Sequence, residues 1–304
     1  VADLSLWGAR LQRVIEVFSP LAEYFQIGHV PNRKKWGFRT PKEFVAMCRK
    51  SMEYKTDDVK FVGPSAIDFE LNYTDAILNK VPRKCFDVFN SLLYVDRRGM
   101  PENTQWPCFD VMNKIRMIKA VVERNGYGEL PFWITETNWP LEGTGYFCPA
   151  GKGVRVTEHQ YADYLSRYYV LSFATGIPSR IFWWELCAHG YGLVDVKDGA
   201  FRKREGFYAF KNIAKLLPGF TNDNVYSKDG LYVVRYRSKT KTLFCMWHTR
   251  KERRVSLKQE AESVFDNRGE KEDTRDVRVS TSPVFIQYKG NIAVEDAVPR
   301  SLFD

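Results

Sequence analysis

Hydrophobic residues alternate between helical and strand spacing from residue 5 to about residue 218. This alternation is typical of β/α units, in which helices cover a parallel sheet. Helices are predicted over residues 5–18, from residue 41, and over residues 73–80, 108–124, 158–175 and 205–217. Strands are predicted over residues 24–28, 59–64, 86–94, 132–136 and 180–185. The pattern therefore predicts an α/β fold with five parallel strands.

The pattern changes after Pro218 and Gly219, which end the last predicted helix. Short alternating runs follow, with turn formers between them, and predict strands over residues 231–236, 242–247, 253–257 and 284–288. Runs of this kind predict antiparallel sheet rather than β/α units. We therefore predict two domains, a barrel-like domain over residues 1–218 and an accessory β-sandwich over residues 219–304.

The composition is that of an ordinary globular chain, because 44% of its 304 residues are hydrophobic and 27% are charged. No stretch approaches the roughly 18 consecutive apolar residues that a membrane-spanning helix needs. The start, Val1-Ala2-Asp3-Leu4, has no basic and then apolar signal pattern. A disordered, collagenous or membrane-spanning chain is excluded.

The formal net charge is +9, a value that could suit nucleic acid or an acidic partner. The excess is diffuse, and the basic clusters at 33–35 and 250–254 lack interleaved aromatic residues that would stack on bases. Solvated surface is therefore the favoured interpretation over nucleic-acid binding. An anionic polysaccharide would suit the charge equally well.

The six cysteines lie far apart without a C-x-x-C pair, and the four histidines have no metal-ligand spacing. We therefore predict no metal, no cofactor and no disulfide scaffold. One disulfide between Cys148 and another loop stays open at this stage.

Reactive groups in a parallel β/α sheet are expected just past the carboxyl ends of the strands, where the loops converge. Glu136 stands out there, because it ends an apolar strand and is followed by Asn-Trp-Pro. By position alone it could equally be a helix cap or a salt-bridged carboxylate. The aromatic residues around it favour a pocket that stacks on sugar rings. The candidates are His29, Asn32, Tyr94, Glu136, Asn138, Trp139, Trp184 and Glu185.

The segment 133–139, Trp-Ile-Thr-Glu-Thr-Asn-Trp, resembles the seventh-strand nucleophile motif of clan A retaining glycoside hydrolases. The nearest resemblance is to family 39, the xylosidase and iduronidase type with related bacterial exopolysaccharide hydrolases. Segments 91–94, 182–184 and 282–286 resemble the sixth strand, the eighth strand and the closing strand of the attached β-domain. The resemblance implies a partial or complete (β/α)8 TIM barrel with strands four to eight visible and a C-terminal antiparallel β-sandwich. It also implies Glu136 as nucleophile and Tyr94 as the tyrosine that contacts it.

One departure concerns the acid/base. Segment 24–32 resembles the fourth strand, where family 39 carries an asparagine-glutamate pair before a proline, but this chain has His29-Val30. Retaining enzymes use two carboxyl groups about 5–5.5 Å apart, one as nucleophile and one as acid/base. Valine cannot transfer a proton, so loss of this group is expected to cost about 10²–10⁴ in rate. His29, Glu185 or Glu70 would have to protonate the leaving oxygen instead.

The other departure is length, because the motifs begin just before the fourth strand. Five strands cannot close an eight-stranded barrel. Three N-terminal units are therefore absent from this chain, or supplied by another chain, or the sheet stays open with an edge to be covered. The first residue, Val1, favours the first two alternatives.

Two functions follow from this interpretation. The leading hypothesis is an O-glycosyl hydrolase acting on a polysaccharide by a retaining mechanism. Glu136 and His29 would be catalytic, and Asn32, Tyr94, Asn138, Trp139, Trp184 and Glu185 would bind substrate. The alternative is a non-catalytic carbohydrate-binding pseudoenzyme of polysaccharide metabolism or assembly. The expected partner is an oligosaccharide or polysaccharide, and the resemblance favours a periplasmic or extracellular location.

Overall fold

The structure is a computed structural model that describes residues 3–37, 39–148 and 152–303, so that Val1 and Ala2 lie outside the described residues. The chain forms two compact units that interleave along the sequence. The first comprises Val1–Val95, Gln105–Thr137 and Ile177–Trp183, and the second comprises Asp96–Thr104, Asn138–Gly176 and Trp184–Asp304. The domain boundary near residue 219 stays a sequence prediction.

The first unit is built on a parallel sheet whose strands follow one another in chain order. The strands are β1 (Tyr24–Gln26), β2 (Lys60–Ile67), β3 (Val88–Leu92), β4 (Phe132–Thr137) and β5 (Pro178–Trp183). Each strand pairs in parallel with the next, and β1 and β5 are the edges among the described residues. Because the strands are parallel, the carboxyl ends of all five lie at the same end of the sheet.

Helix α1 (Leu4–Phe18) precedes β1, and three helices connect the successive strands from β1 to β4: α2 (Pro41–Ser51), α3 (Leu71–Leu78) and α4 (Val111–Arg124). Local signals fix where they begin. The Asp3 carboxylate accepts hydrogen bonds from the backbone N–H groups of Ser5 and Leu6 at 2.8 and 3.0 Å. Thr40 and Glu43 form a reciprocal capping box at the start of α2.

The second unit combines two long helices with antiparallel sheets. The helices are α5 (Glu158–Ala174) and α6 (Glu205–Leu216), with a single turn α7 (Val294–Ala297) near the end. Five strands pair in the order β12, β14, β10, β9, β8. They are β8 (Thr221–Lys228), β9 (Leu231–Arg237), β10 (Lys241–His248), β12 (Ser263–Phe265) and β14 (Val284–Lys289). Separate pairs join β6 (Val194–Asp195) to β7 (Arg202–Lys203) and β11 (Arg253–Ser256) to β13 (Asp276–Val279).

The predicted partial barrel of five parallel strands is confirmed, and antiparallel sheets follow it as predicted. Their arrangement as a sandwich stays a prediction. All six cysteines are free thiols, so the disulfide left open for Cys148 is absent from this structure. No helix of the described chain is long and apolar enough to span a membrane.

Candidate active site

The loop after β1 is held against the end of β2 by one side-chain amide. Asn32 donates from Nδ2 to the carbonyl of Ile67 at 3.0 Å and accepts from the Ile67 N–H at 3.1 Å. This pair of bonds mimics a strand pairing, so the buried Asn32 side chain fixes where the loop lies. The chain turns sharply before it, with positive φ at Gly28 and Val30.

Glu136, near the end of β4, is the centre of the candidate site. The Tyr94 hydroxyl donates a hydrogen bond to Oε1 of Glu136. His29 Nε2 lies 4.0 Å from the other carboxylate oxygen, and the Glu136 side chain keeps 17% of its surface exposed. The structure therefore brings together three of the predicted residues, from the ends of β1, β3 and β4. The arrangement leaves one carboxylate oxygen facing the imidazole.

Val30 has no group that could transfer a proton, and it is buried. Its residue exposure is 1%, and it packs in a small apolar cluster with Leu92, Tyr94 and Ile67. Its φ of 46° is a left-handed value that β-branched residues rarely adopt. The position that the sequence resemblance aligns with the family 39 acid is thus filled by a buried apolar side chain next to the tyrosine that contacts Glu136.

Glu70, a possible substitute acid by sequence, is engaged elsewhere. Arg33 donates to Glu70 at 2.8 Å and to Asp68 at 2.9 Å. Burial acts to lower the pKa of Arg33, but the hydrogen bonds with these two carboxylates outweigh it and raise that pKa. Through its ion pair with Arg33, Glu70 holds the loop after β1 in place, and it is not positioned here as a proton donor.

Trp36 is a residue of this region that the strand-end rule misses. Its ring meets the His29 imidazole edge-on at 5.1 Å, and 53% of its surface is exposed. Both residues line a cavity of about 460 Å³ beside α1 and α2, and Glu136 is not part of its lining. Trp36 lies ten residues beyond the end of β1. The only signal in the sequence that could have pointed to it is its position as a tryptophan next to the basic residues of the loop.

The other predicted residues belong to the second unit and are described within it. Asn138 is buried and donates from Nδ2 to the carbonyl of Trp184 at 2.8 Å. Trp139 is 1% exposed, and its indole N–H donates to the Gly99 carbonyl at 2.9 Å. These bonds connect loops of the second unit, and the substrate contacts predicted for both residues stay predictions.

Trp184 and Glu185 follow the end of β5 directly. Trp184 keeps 42% of its surface exposed, and its ring lies 5.2 Å from that of Tyr191. The carbonyl of Glu185 accepts from the Leu193 N–H at 3.0 Å, which anchors the backbone there. Trp184 therefore has a partly exposed ring, and its predicted contact with substrate stays a prediction. Within the described residues, no group of three or more histidine, cysteine or acidic side chains could hold a metal ion.

No protein-family model and no curated protein matches the chain. Solved structures do. A family 39 glycoside hydrolase from the gut symbiont Bacteroides cellulosilyticus WH2 superposes with a TM-score of 0.69 at 15% identity, over 92% of this chain and 60% of that one. A GH30 endoxylanase from Clostridium papyrosolvens C71 gives 0.63 at 14% identity, over 95% of this chain and 72% of that one.

A GH39 β-xylosidase from Caulobacter crescentus gives a TM-score of 0.59 at 12% identity, over 95% of this chain and 73% of that one. This chain thus spans 60% of the length of the Bacteroides protein. Identities this low establish the fold alone. The chain has the fold of the family 39 and family 30 glycoside hydrolases, and its predicted resemblance to family 39 is confirmed at that level.

Proposed function

We propose that this chain is an O-glycosyl hydrolase that cleaves a polysaccharide with retention of configuration. The observation that carries the proposal is the contact between Tyr94 and Glu136 at the carboxyl edge of the parallel sheet. The neighbouring solved structures are glycoside hydrolases built on the same fold. Glu136 acts as the nucleophile, and Tyr94 orients its carboxylate.

The chemistry of this site is that of one carboxylate with a neighbouring imidazole. Glu136 attacks the anomeric carbon and forms a glycosyl-enzyme, which water then hydrolyses. His29, whose Nε2 lies 4.0 Å from a carboxylate oxygen of Glu136, is the group that we propose protonates the leaving oxygen. We assign it the role of a poor acid in place of the glutamate that family 39 carries. A sugar-stacking role for Trp184 is a separate part of the proposal.

The test separates the nucleophile from the acid. Aryl glycosides with activated leaving groups need little acid assistance, so their hydrolysis reports on Glu136. Glu136→Gln is expected to abolish that hydrolysis, and His29→Ala is expected to affect it little while slowing cleavage of natural glycan. Glu129→Gln, which changes a carboxylate in the loop before β4, serves as a matched control. Unchanged turnover by Glu136→Gln would refute the proposal.

One observation favours a second function, a carbohydrate-binding protein without catalysis. Val30 is buried at the position that the resemblance assigns to the acid/base, and Glu70 is paired with Arg33. On this alternative the chain binds oligosaccharide, as titration calorimetry would show, and releases no product on long incubation. Measurable release of reducing ends from a natural glycan would exclude it.

Val30→Glu tests whether the site lacks only its acid or has lost catalysis altogether. A glutamate at this buried position would have a raised pKa, which suits a general acid. If only the acid is missing, glycan hydrolysis should increase by about 10²–10⁴. Val30→Gln buries a side chain of the same size without an acidic proton and should give no increase. An equal response of both variants would show that the effect is structural.

Further parts of the proposal concern substrate and assembly. The diffuse net charge of +9 suits an anionic glycan. The edges of the sheet at β1 and β5 are where further β/α units, from this polypeptide or another chain, would pair to complete a barrel. A periplasmic or extracellular site of action would fit a polysaccharide substrate.

A further inference from the structure

A second polar cavity lies wholly within the second unit, independent of Glu136. Its volume is about 400 Å³, within the range of small-molecule sites. The first turns of α5 and α6 contribute His159 and Glu205, and the loop between β13 and β14 contributes Ser280, Thr281 and Ser282. Three functional groups used in acyl transfer thus line one cavity.

Their order in space is that of a serine hydrolase. Ser282 Oγ lies 3.2 Å from His159 Nε2, and His159 Nδ1 lies 3.0 Å from Glu205 Oε2. A carboxylate only accepts hydrogen bonds, so the Glu205 contact assigns the proton to Nδ1. The lone pair of Nε2 then faces the Ser282 hydroxyl. This is the arrangement in which an imidazole acts as base toward a serine.

The loop that carries Ser282 is fixed by its neighbours. The N–H of Ser282 donates to Ser280 Oγ at 3.2 Å, and Pro283 follows it. Arg167 donates from Nε to the Thr281 carbonyl at 3.1 Å. The serine therefore stands on a short rigid segment opposite the helix that carries His159.

The buried carboxyl group of Asp163 also lies close to His159. Asp163 Oδ2 is 3.7 Å from His159 Nε2, and the Asp163 side chain is 2% exposed. Burial raises the pKa of Asp163, while a hydrogen bond with Ser282 and the charge of Arg167 act in the opposite direction. Its other oxygen accepts from Asn267 Nδ2 at 3.1 Å. Ser282 thus has two acceptors, and the charge of Asp163 would stabilise an imidazolium formed at His159.

Positive side chains line the same cavity. Arg278 is paired with Glu252 at 2.6 Å. For Arg250 and Lys251, the part of the chain that the structure describes offers no ion pair, and their backbone N–H groups donate to His248 Nδ1 at 3.1 and 3.0 Å. Their loop is thereby held in place, and two cations are available to an oxyanion in the cavity.

We propose that Ser282, His159 and Glu205 form a second catalytic site, which hydrolyses short-chain carboxylic esters. Ser282 Oγ attacks the carbonyl carbon while its proton passes to His159 Nε2. The tetrahedral intermediate breaks the ester C–O bond, and the leaving alcohol takes the proton from His159. Water then attacks the acyl-serine by the same route, which releases the carboxylic acid and restores Ser282. Glu205 is a positioning residue that holds the imidazole.

The experiment measures hydrolysis of p-nitrophenyl acetate and covalent labelling by a fluorophosphonate, using the full chain. The wild-type protein should take up one label, which peptide mapping places on Ser282. Ser282→Ala and His159→Gln should each lower kcat/KM by about 10² or more, toward the uncatalysed rate. Glu205→Gln should lower kcat with little change in KM, because it disturbs the base and not ester binding.

Two controls make the result decisive. Ser227→Ala changes an exposed serine on β8 and should leave ester hydrolysis unchanged. Glu136→Gln should also retain it, so that failure of the glycosidase proposal and failure of this one are distinguishable. Absence of label on Ser282, or equal ester hydrolysis by wild type and Ser282→Ala in folded protein, would overturn the proposal and leave these residues as a structural hydrogen-bond network.

Discussion

Tyr94 contacts both the apolar cluster at the end of the parallel sheet and the carboxylate of Glu136. It is 5% exposed and packs against Val30 and Leu92, yet its hydroxyl donates to the carboxylate. One side chain thus links packing to chemistry. A hydrogen bond to a charged group contributes about 1.5–3 kcal/mol, so its loss should be measurable in both the position and the reactivity of Glu136.

Tyr94→Phe keeps the ring in the cluster and removes only the donor. If Glu136 is the nucleophile, kcat/KM for an activated aryl glycoside should decrease by roughly 10- to 100-fold, the equivalent of one charge-assisted hydrogen bond. Tyr127→Phe is the matched control, because it removes a buried hydroxyl that donates to the Val81 carbonyl at 3.1 Å. That control should lower stability by about 1 kcal/mol and leave kcat/KM unchanged. An equal loss of activity in both variants would mean that Tyr94 acts through stability alone.

The turn after β1 shows how an element fixes a functional residue. Gly28 has a φ of 74°, and a Cβ there would lie 2.9 Å from Phe44 Cε2 on α2. The helix therefore packs directly under the turn that presents His29. Both the backbone conformation and the close approach require glycine at this position.

Gly28→Ala tests this packing against Gly176→Ala, whose φ is 69° but whose added Cβ would meet nothing within 4 Å. A left-handed alanine costs roughly 1–2 kcal/mol at either site. The contact with Phe44 should add about 1–3 kcal/mol at Gly28 alone. Urea unfolding followed by circular dichroism gives the difference, and equal losses would show that α2 yields freely. Gly28→Ala should also slow cleavage of natural glycan, because it displaces the adjacent His29.

The elements that sequence can predict are those with a strong apolar period. Strands β2, β4 and β10 bury most of their residues, and helices α2 and α4 carry clear caps, so the pattern locates them. Strand β8 escapes prediction because Thr-Asn-Asp-Asn-Val-Tyr-Ser-Lys has no alternation, and it forms an edge. Strands β12 and β13, three and four residues long, also escape prediction, although β1 and β11 are equally short and are predicted.

The candidate site is only partly predictable for a related reason. Parallel strands place their carboxyl ends together, which suffices to join His29, Tyr94 and Glu136 from the sequence alone. Burial of Val30 and the ion pairs of Arg33 depend on how the loop folds back, which spacing does not encode. Trp36 escapes prediction because it lies in the middle of a loop rather than at a strand end.

At the scale of the whole molecule, acid stability depends on carboxylates that are ionised and paired when the chain is folded. Asp195 is such a group, with its side chain 13% exposed. It accepts from His189 Nδ1 at 2.8 Å and from the Lys197 N–H at 3.0 Å, and it lies 2.9 Å from Arg204 Nη2. Burial acts to raise the pKa of Asp195, but these partners outweigh it and lower the pKa to about 2.

The sign of the effect follows from linkage. The folded pKa lies below the unfolded value of about 3.9, so this contribution is complete above about pH 4 and is lost as the pH falls toward about 2. Its size is on the order of 2 kcal/mol. Asp195→Asn should therefore lower the free energy of unfolding by about that amount near neutral pH and by progressively less in acid. Asp198→Asn, at an exposed position nearby, should change little at any pH. Urea titrations from about pH 2 to about pH 7 measure the difference. A loss that does not shrink in acid would show that the introduced amide destabilises by shape rather than by loss of charge.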